Sequence, residues 1–91
     1  VPLHTMQASF KVFELCKAMA EEGNPNSVSD AGVGVLAARA AVLGAGLNVK
    51  INASGLKDRE TADKLVSEAN ELIKKANELE AEIMKIVEDK L

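Results

Sequence analysis

Between Ala31 and Leu56 the chain carries only two charged residues, Arg39 and Lys50, in a run otherwise dominated by Ala, Gly, Val and Leu. An apolar stretch of that length, without the alternation of a half-buried strand, predicts one long helix that needs cover on nearly every side. Wound at 3.6 residues per turn, the helix sorts into three lines. Val33, Leu36, Ala40, Leu43, Leu47 and Ile51 form a bulky apolar stripe. Asp30, Gly34, Ala37, Ala41, Gly44, Ala45, Asn48 and Asn52 form a second face, small in its middle, with a carboxylate at one end and amides at the other. Val35, Val42 and Val49 recur every seven residues on a third line. The expectation is a helix at the centre of the fold.

Everything else is built around that helix. Ninety-one residues make one small domain, and a chain of this size buries only about 60 to 65% of its unfolded surface. Two Phe are the only aromatic residues, and β-branched residues never alternate with polar ones over a strand's length, which points to an all-α fold. A net charge of −3 without any basic run gives no footprint for nucleic acid. Cys16, the single cysteine, sits in an apolar helical pattern and reads as a small buried thiol in a reducing compartment. One Cys and one His cannot supply a zinc site.

The opening residues, VPLHTM, lack both the basic segment and the apolar run of a secretory signal, so the expected location is cytoplasmic. Arg39 near the middle of the apolar run would cost about 2.5 to 3.5 kcal/mol in a bilayer, and glycines at 32, 34, 44 and 46 weaken a membrane reading further. Val1 stands in register with an apolar helical pattern, which leads to the expectation that further sequence precedes it.

A first helix begins at Pro2, whose missing N–H has no intrahelical partner in a first turn. Leu3, Met6, Phe10, Phe13, Cys16 and Ala20 recur on its inner face, His4 is read as a surface or interface residue, and Gly23 stops the helix. Gly23, Asn24, Pro25 and Asn26 form a short ordered turn. Ser27 with Asp30 has capping-box spacing, and Ser29 is a competing cap. Beyond the central helix, Asn52, Ala53, Ser54 and Gly55 break the pattern and Asp58 is placed to cap a third helix. There Ala62, Leu65, Ala69, Leu72, Ala76, Leu79, Ile83 and Ile86 alternate spacings of three and four, a heptad seam for packing or dimerisation. Glu60 with Lys64 and Glu71 with Lys75 are favourable i,i+4 pairs on its solvated face. The architecture is three long helices, part of an antiparallel bundle completed by a missing half or another subunit.

Gly32, Gly34 and Ala37 satisfy a GxGxxA pattern, but no strand precedes them, so close helix packing is the better account. Asn24, Asp30, Asn48 and Asn52 remain. Asn is a poor helix former, and two of them one turn apart in an apolar helix read either as a C-terminal cap exposed to solvent or as buried amides aimed at a ligand or partner.

The segment GNPNSVSDAGVGVLAARAAVLGAGLNVKIN, with its GN, SD and NVKIN elements at Gly23 to Asn24, Ser29 to Asp30 and Asn48 to Asn52, resembles the formimidoyltetrahydrofolate cyclodeaminase and methenyltetrahydrofolate cyclohydrolase family. That likeness runs from about Val1 to Asp58. It implies an all-helical, dimeric, folate-handling domain of which residues 1–91 are the C-terminal part. A Gly-rich segment and a carboxylate-bearing helix near the family's catalytic centre have no match here.

The resemblance implies a tetrahydrofolate derivative as substrate and no tightly bound cofactor. Water adds to the cationic carbon of a methenyl bridge, or the formimino form closes that bridge and expels ammonia. Both steps need a carboxylate near developing charge and proton transfer. Asp30 is the candidate catalytic group; Asn24, Asn48 and Asn52 are candidates for the pterin edge, and Arg39 and Lys50 for the anionic glutamate tail. Asp30 and Asn48 lie about 27 Å apart along one helix, so they meet only if two copies cross antiparallel near Arg39. The competing reading is a non-enzymatic helical oligomerisation module, to which aligned Asp30, Asn48 and Asn52 would bring nothing.

Overall fold

The computed structural model describes residues 2–90, and the side chains from Thr5 onward. The readings that rest on Val1, Leu3 and His4 lie outside these. Three helices follow one another, α1 (Pro2–Glu22), α2 (Pro25–Ser54) and α3 (Arg59–Lys90), with no strand among the described residues. They form a slab of 51 × 18 × 14 Å in which every pair of helices touches.

The ends of the helices have local causes. Gly23 takes φ +84°, a left-handed conformation that lets α1 stop and the chain reverse at once. Asn24 then caps α2: its Oδ1 accepts the Asn26 N–H at 3.0 Å, its carbonyl accepts the Val28 N–H at 2.8 Å, and Pro25 opens the helix. The turn is therefore Gly23 and Asn24 alone. Ser27, Ser29 and Asp30 stand inside the helix and do not cap it, because a proline preset for a first turn and an asparagine before it start the helix earlier. At the other end the helix runs through Asn52 to Ser54 and tightens into a last turn, where the Gly55 N–H donates to the Asn52 carbonyl at 3.2 Å. The Arg59 guanidinium closes that end, donating to the Ala53 carbonyl at 2.7 Å and to the Leu56 carbonyl. Asp58 caps α3 as its position suggests, accepting the N–H of Glu60 at 3.1 Å and the Thr61 hydroxyl at 2.7 Å.

Topology follows from the two short connections. Gly32 of α2 lies against Val87 of α3, and Gly46 against both Ile73 of α3 and Met6 of α1. The Lys90 ammonium donates to the Glu21 carbonyl at 3.1 Å. The first and third helices thus run parallel, with α2 antiparallel to both. The seam of α3 is buried as its heptads require, with Ala62, Ala69, Ala76 and Ile83 fully inside and Leu65, Leu72, Leu79 and Ile86 half-buried. Met6, Phe13, Cys16 and Ala20 do the same for α1. Lys75 stands 5.0 Å from the Phe10 ring centre, and the one ion pair between helices among the described residues joins Lys17 to Glu82 at 2.8 Å.

The central helix departs from expectation. Its buried side is Val28, Ala31, Val35, Ala38, Val42, Ala45, Val49 and Ala53, the heptad valines and their small neighbours. The bulky stripe is the bare side: Val33, Leu47 and Ile51 are 68%, 63% and 66% exposed. Cover on nearly every side is not what the chain supplies, because two neighbouring helices wrap only about half of the circumference. By length and composition α2 is apolar enough to cross a membrane, yet Arg39 near its middle is hydrogen-bonded to the polar side of α3.

Candidate functional site

The bare side of α2 carries the residues singled out for chemistry. Asp30, Asn48 and Asn52 are all exposed. Eighteen residues are about five turns, so Asp30 and Asn48 share one line along the helix, and Asn52 follows Asn48 one turn on. Between them run Ala37, Ala41 and Gly44, also exposed, with half-buried Gly34. No atom lies within 4 Å of where a Gly44 Cβ would be, whereas a Gly34 Cβ would stand 2.8 Å from Cys16 Sγ. The small face is thus packed on α1 at one edge and open along the rest. Among the described residues the carboxylate and both amides have no partner within the chain. The amides are exposed here, which sets aside burial of Asn48 and Asn52 within this chain.

Arg39 and Lys50 belong elsewhere. Arg39 is nine residues from both Asp30 and Asn48, about two and a half turns, and so points the opposite way from either. Its Nε donates to Asn77 Oδ1 at 2.7 Å, tying α2 to α3. Lys50, about three turns further on, is half-buried on the same side as Arg39. Asn24 sits at the helix start with its oxygen committed to the cap, leaving its amide N–H groups free of the Asn26 contact. The structure therefore brings Asp30, Asn48 and Asn52 onto one flank and separates Arg39 and Lys50 from them.

Two roles escaped the sequence pattern. Asn77 reads as an ordinary solvated residue until Arg39 reaches it. Arg59 follows a helix terminus, where a cation that can hydrogen-bond terminal carbonyls is favoured, and that was a usable signal. Burial raises the Cys16 thiol above its ordinary pKa, so it stays protonated and weakly nucleophilic. A shallow groove of about 450 Å³ on the outer side of α3 is lined by Asp63, Val66, Ser67, Asn70, Glu71 and Lys74. These lie on one helix and share nothing with the polar flank of α2. No group of three or more His, Cys, Asp or Glu suited to a metal ion occurs among the described residues.

Sequence comparison gives the class of this antiparallel helical chain. The profile of the formiminotransferase-cyclodeaminase family matches residues 1–71, and the chain belongs to that family. It is 41% identical over its whole length to a methenyltetrahydrofolate cyclohydrolase of Methylorubrum extorquens, covering 44% of that protein. It is 33% identical over 90 residues to a formimidoyltransferase-cyclodeaminase of Dictyostelium discoideum, covering 17% of it. The chain thus spans less than half the length of these relatives. No solved structure matches it.

Proposed function

We propose that this chain is the C-terminal part of a folate one-carbon domain that hydrolyses the methenyl bridge of 5,10-methenyltetrahydrofolate to give 10-formyltetrahydrofolate. The observation that carries the reading is the exposed carboxylate of Asp30 aligned with the exposed amides of Asn48 and Asn52 on a helix that is otherwise apolar. Family membership supplies the chemistry. The 41% likeness to a protein named for that hydrolysis favours it over the ring-closing deamination of 5-formimidoyltetrahydrofolate, which the 33% relative's name supports as the second reading.

In this reading water adds to the cationic bridge carbon and gives up one proton; the bond to N5 then breaks as the remaining hydroxyl proton passes to that nitrogen, which leaves the formyl group on N10. Asp30 accepts the proton from the attacking water and offsets the bridge charge. Asn48 and Asn52 hydrogen-bond the pterin edge, with the free amide of Asn24 close to the start of the same helix. Arg39 is occupied by Asn77 and Lys50 points away from this flank, so the cation for the glutamate tail is assigned to the rest of the domain. The enzyme works as a cytoplasmic homo-oligomer, with no tightly bound cofactor and with a polypeptide equivalent to the rest of the domain.

The test is loss of the methenyl chromophore in a preparation containing this chain and the rest of the domain. Asp30→Asn should lower kcat by about 10²- to 10⁴-fold with the fold intact by circular dichroism. A chromophore that instead appears from the formimidoyl substrate selects the deaminase. No absorbance change with either substrate leaves the oligomerisation module.

A further inference from the structure

The last turn of α2 carries Asn52, and it ends without the left-handed residue that often stops a helix. Gly55 takes φ −88° and ψ −5°, still right-handed, and among the described residues Gly23 alone has a positive φ. The terminal carbonyls are met instead by tightened backbone bonds and by side chains. The Gly55 N–H donates to the Asn52 carbonyl at 3.2 Å and the Leu56 N–H to the Ala53 carbonyl at 3.1 Å. The Ser54 hydroxyl donates to the Ile51 carbonyl at 2.6 Å. Arg59 reaches this turn from beyond it. Its Nη2 donates to the Ala53 carbonyl at 2.7 Å and to the Leu56 carbonyl, so one nitrogen joins the end of α2 to the connection that follows.

Ala53 is 2% exposed and faces the core. Asn52, about 100° away round the helix, is exposed on the open flank. Holding the Ala53 carbonyl therefore fixes the rotation of the turn from which the Asn52 amide projects. Without Arg59 that turn keeps only the two short backbone bonds and one serine hydroxyl, and an exposed helix end held so lightly opens locally. The neighbouring Asp58 caps α3, so two successive residues set the end of α2 against the start of α3. We propose that Arg59 is a positioning residue for substrate binding, acting through Asn52 by clamping the last turn of α2. This rests on the assignment of Asn52 to the pterin edge made above.

The complete enzyme tests this. Arg59→Met keeps an apolar stem and a good helix former but removes the donors, and it should raise KM for the methenyl substrate about 2- to 10-fold, the worth of one neutral hydrogen bond, with kcat little changed. Arg59→Lys, whose ammonium carries enough donors for both carbonyls, should recover most of that rise. In an Asn52→Ala background Arg59→Met should raise KM no further, because the group it positions is gone. A fall in kcat at unchanged KM would make Arg59 a stabilising residue only, and additive effects of the two substitutions would mean that it does not act through Asn52; either overturns the proposal. Amide hydrogen exchange at Gly55 and Leu56 should quicken in Arg59→Met, and unchanged exchange overturns the clamp. An unmutated enzyme inert toward both the methenyl and the formimidoyl substrates overturns the folate reading, and with it the role toward a pterin, while the exchange measurement still decides whether Arg59 holds the turn.

Discussion

Gly34 and Cys16 show how a single contact can reverse the effect of a substitution. Alanine is favoured over glycine in a helix by about 1 kcal/mol, but a Cβ at Gly34 would meet the Cys16 sulfur at 2.8 Å, and overpacking a core costs about 1 to 3 kcal/mol. Gly34→Ala should therefore destabilise the chain by about 1 kcal/mol net. The same change in a Cys16→Ala background should be neutral or stabilising by up to about 1 kcal/mol. Urea titration of the four variants measures the coupling, and additive energies would show that the thiol is not the obstacle. Asp58 gives a pH signature. Hydrogen bonds from the Thr61 hydroxyl, then from the backbone N–H groups of Thr61 and Glu60, hold its carboxyl below the ordinary range. Its folded value lies below the unfolded one, so its contribution is present above about pH 4 and fades as pH falls through the folded value. The melting temperature should drop more steeply in acid for the wild-type chain than for Asp58→Ala; parallel curves would remove the cap's role. Asp58 and Gly23 were legible because a cap and a left-handed stop each follow from one side chain, or from its absence. Ser27 and Ser29 misled because Asn24 and Pro25 offered a better start, with the cap three residues before Ser27.

At the scale of elements, α3 was readable throughout, since its charged and apolar residues separate cleanly by face. The paired glycines of α2 were not. Gly46 lies under Ile73, with a Cβ position 2.8 Å from its Cδ1, while two residues earlier Gly44 has open space. Gly44→Ala should therefore stabilise the isolated fold by up to about 1 kcal/mol through helix propensity alone. Thermal melting of that variant checks this, and a lowered melting temperature would mean that the space at Gly44 is filled in the folded chain. Arg39 illustrates the remaining difficulty: an isolated cation in an apolar helix suggests a ligand, and only the position of Asn77 on α3 shows that it joins two helices.

For the whole molecule, the consequence is an apolar face that three helices cannot close. Leu36 and Leu47 are 47% and 63% exposed, so changing both to Glu should leave the helical content measured by circular dichroism unchanged. Loss of helix in that variant would instead mean that the face is needed for folding itself. The sequence by itself determined that the fold is all-helical, that a long apolar helix lies between two amphipathic ones, where most of the caps fall, and that Asp30, Asn48 and Asn52 share a line. It also carried the family resemblance that the comparisons confirm. Only the tertiary structure decided which half of α2 is buried. The hydrophobic effect is non-directional and scales with apolar area, so a helix apolar on all sides gives periodicity nothing to choose by. The choice fell to close packing: glycines at 32, 34 and 46 let Val87, Cys16 and Ile73 reach the backbone, and the side that admits those neighbours became the core.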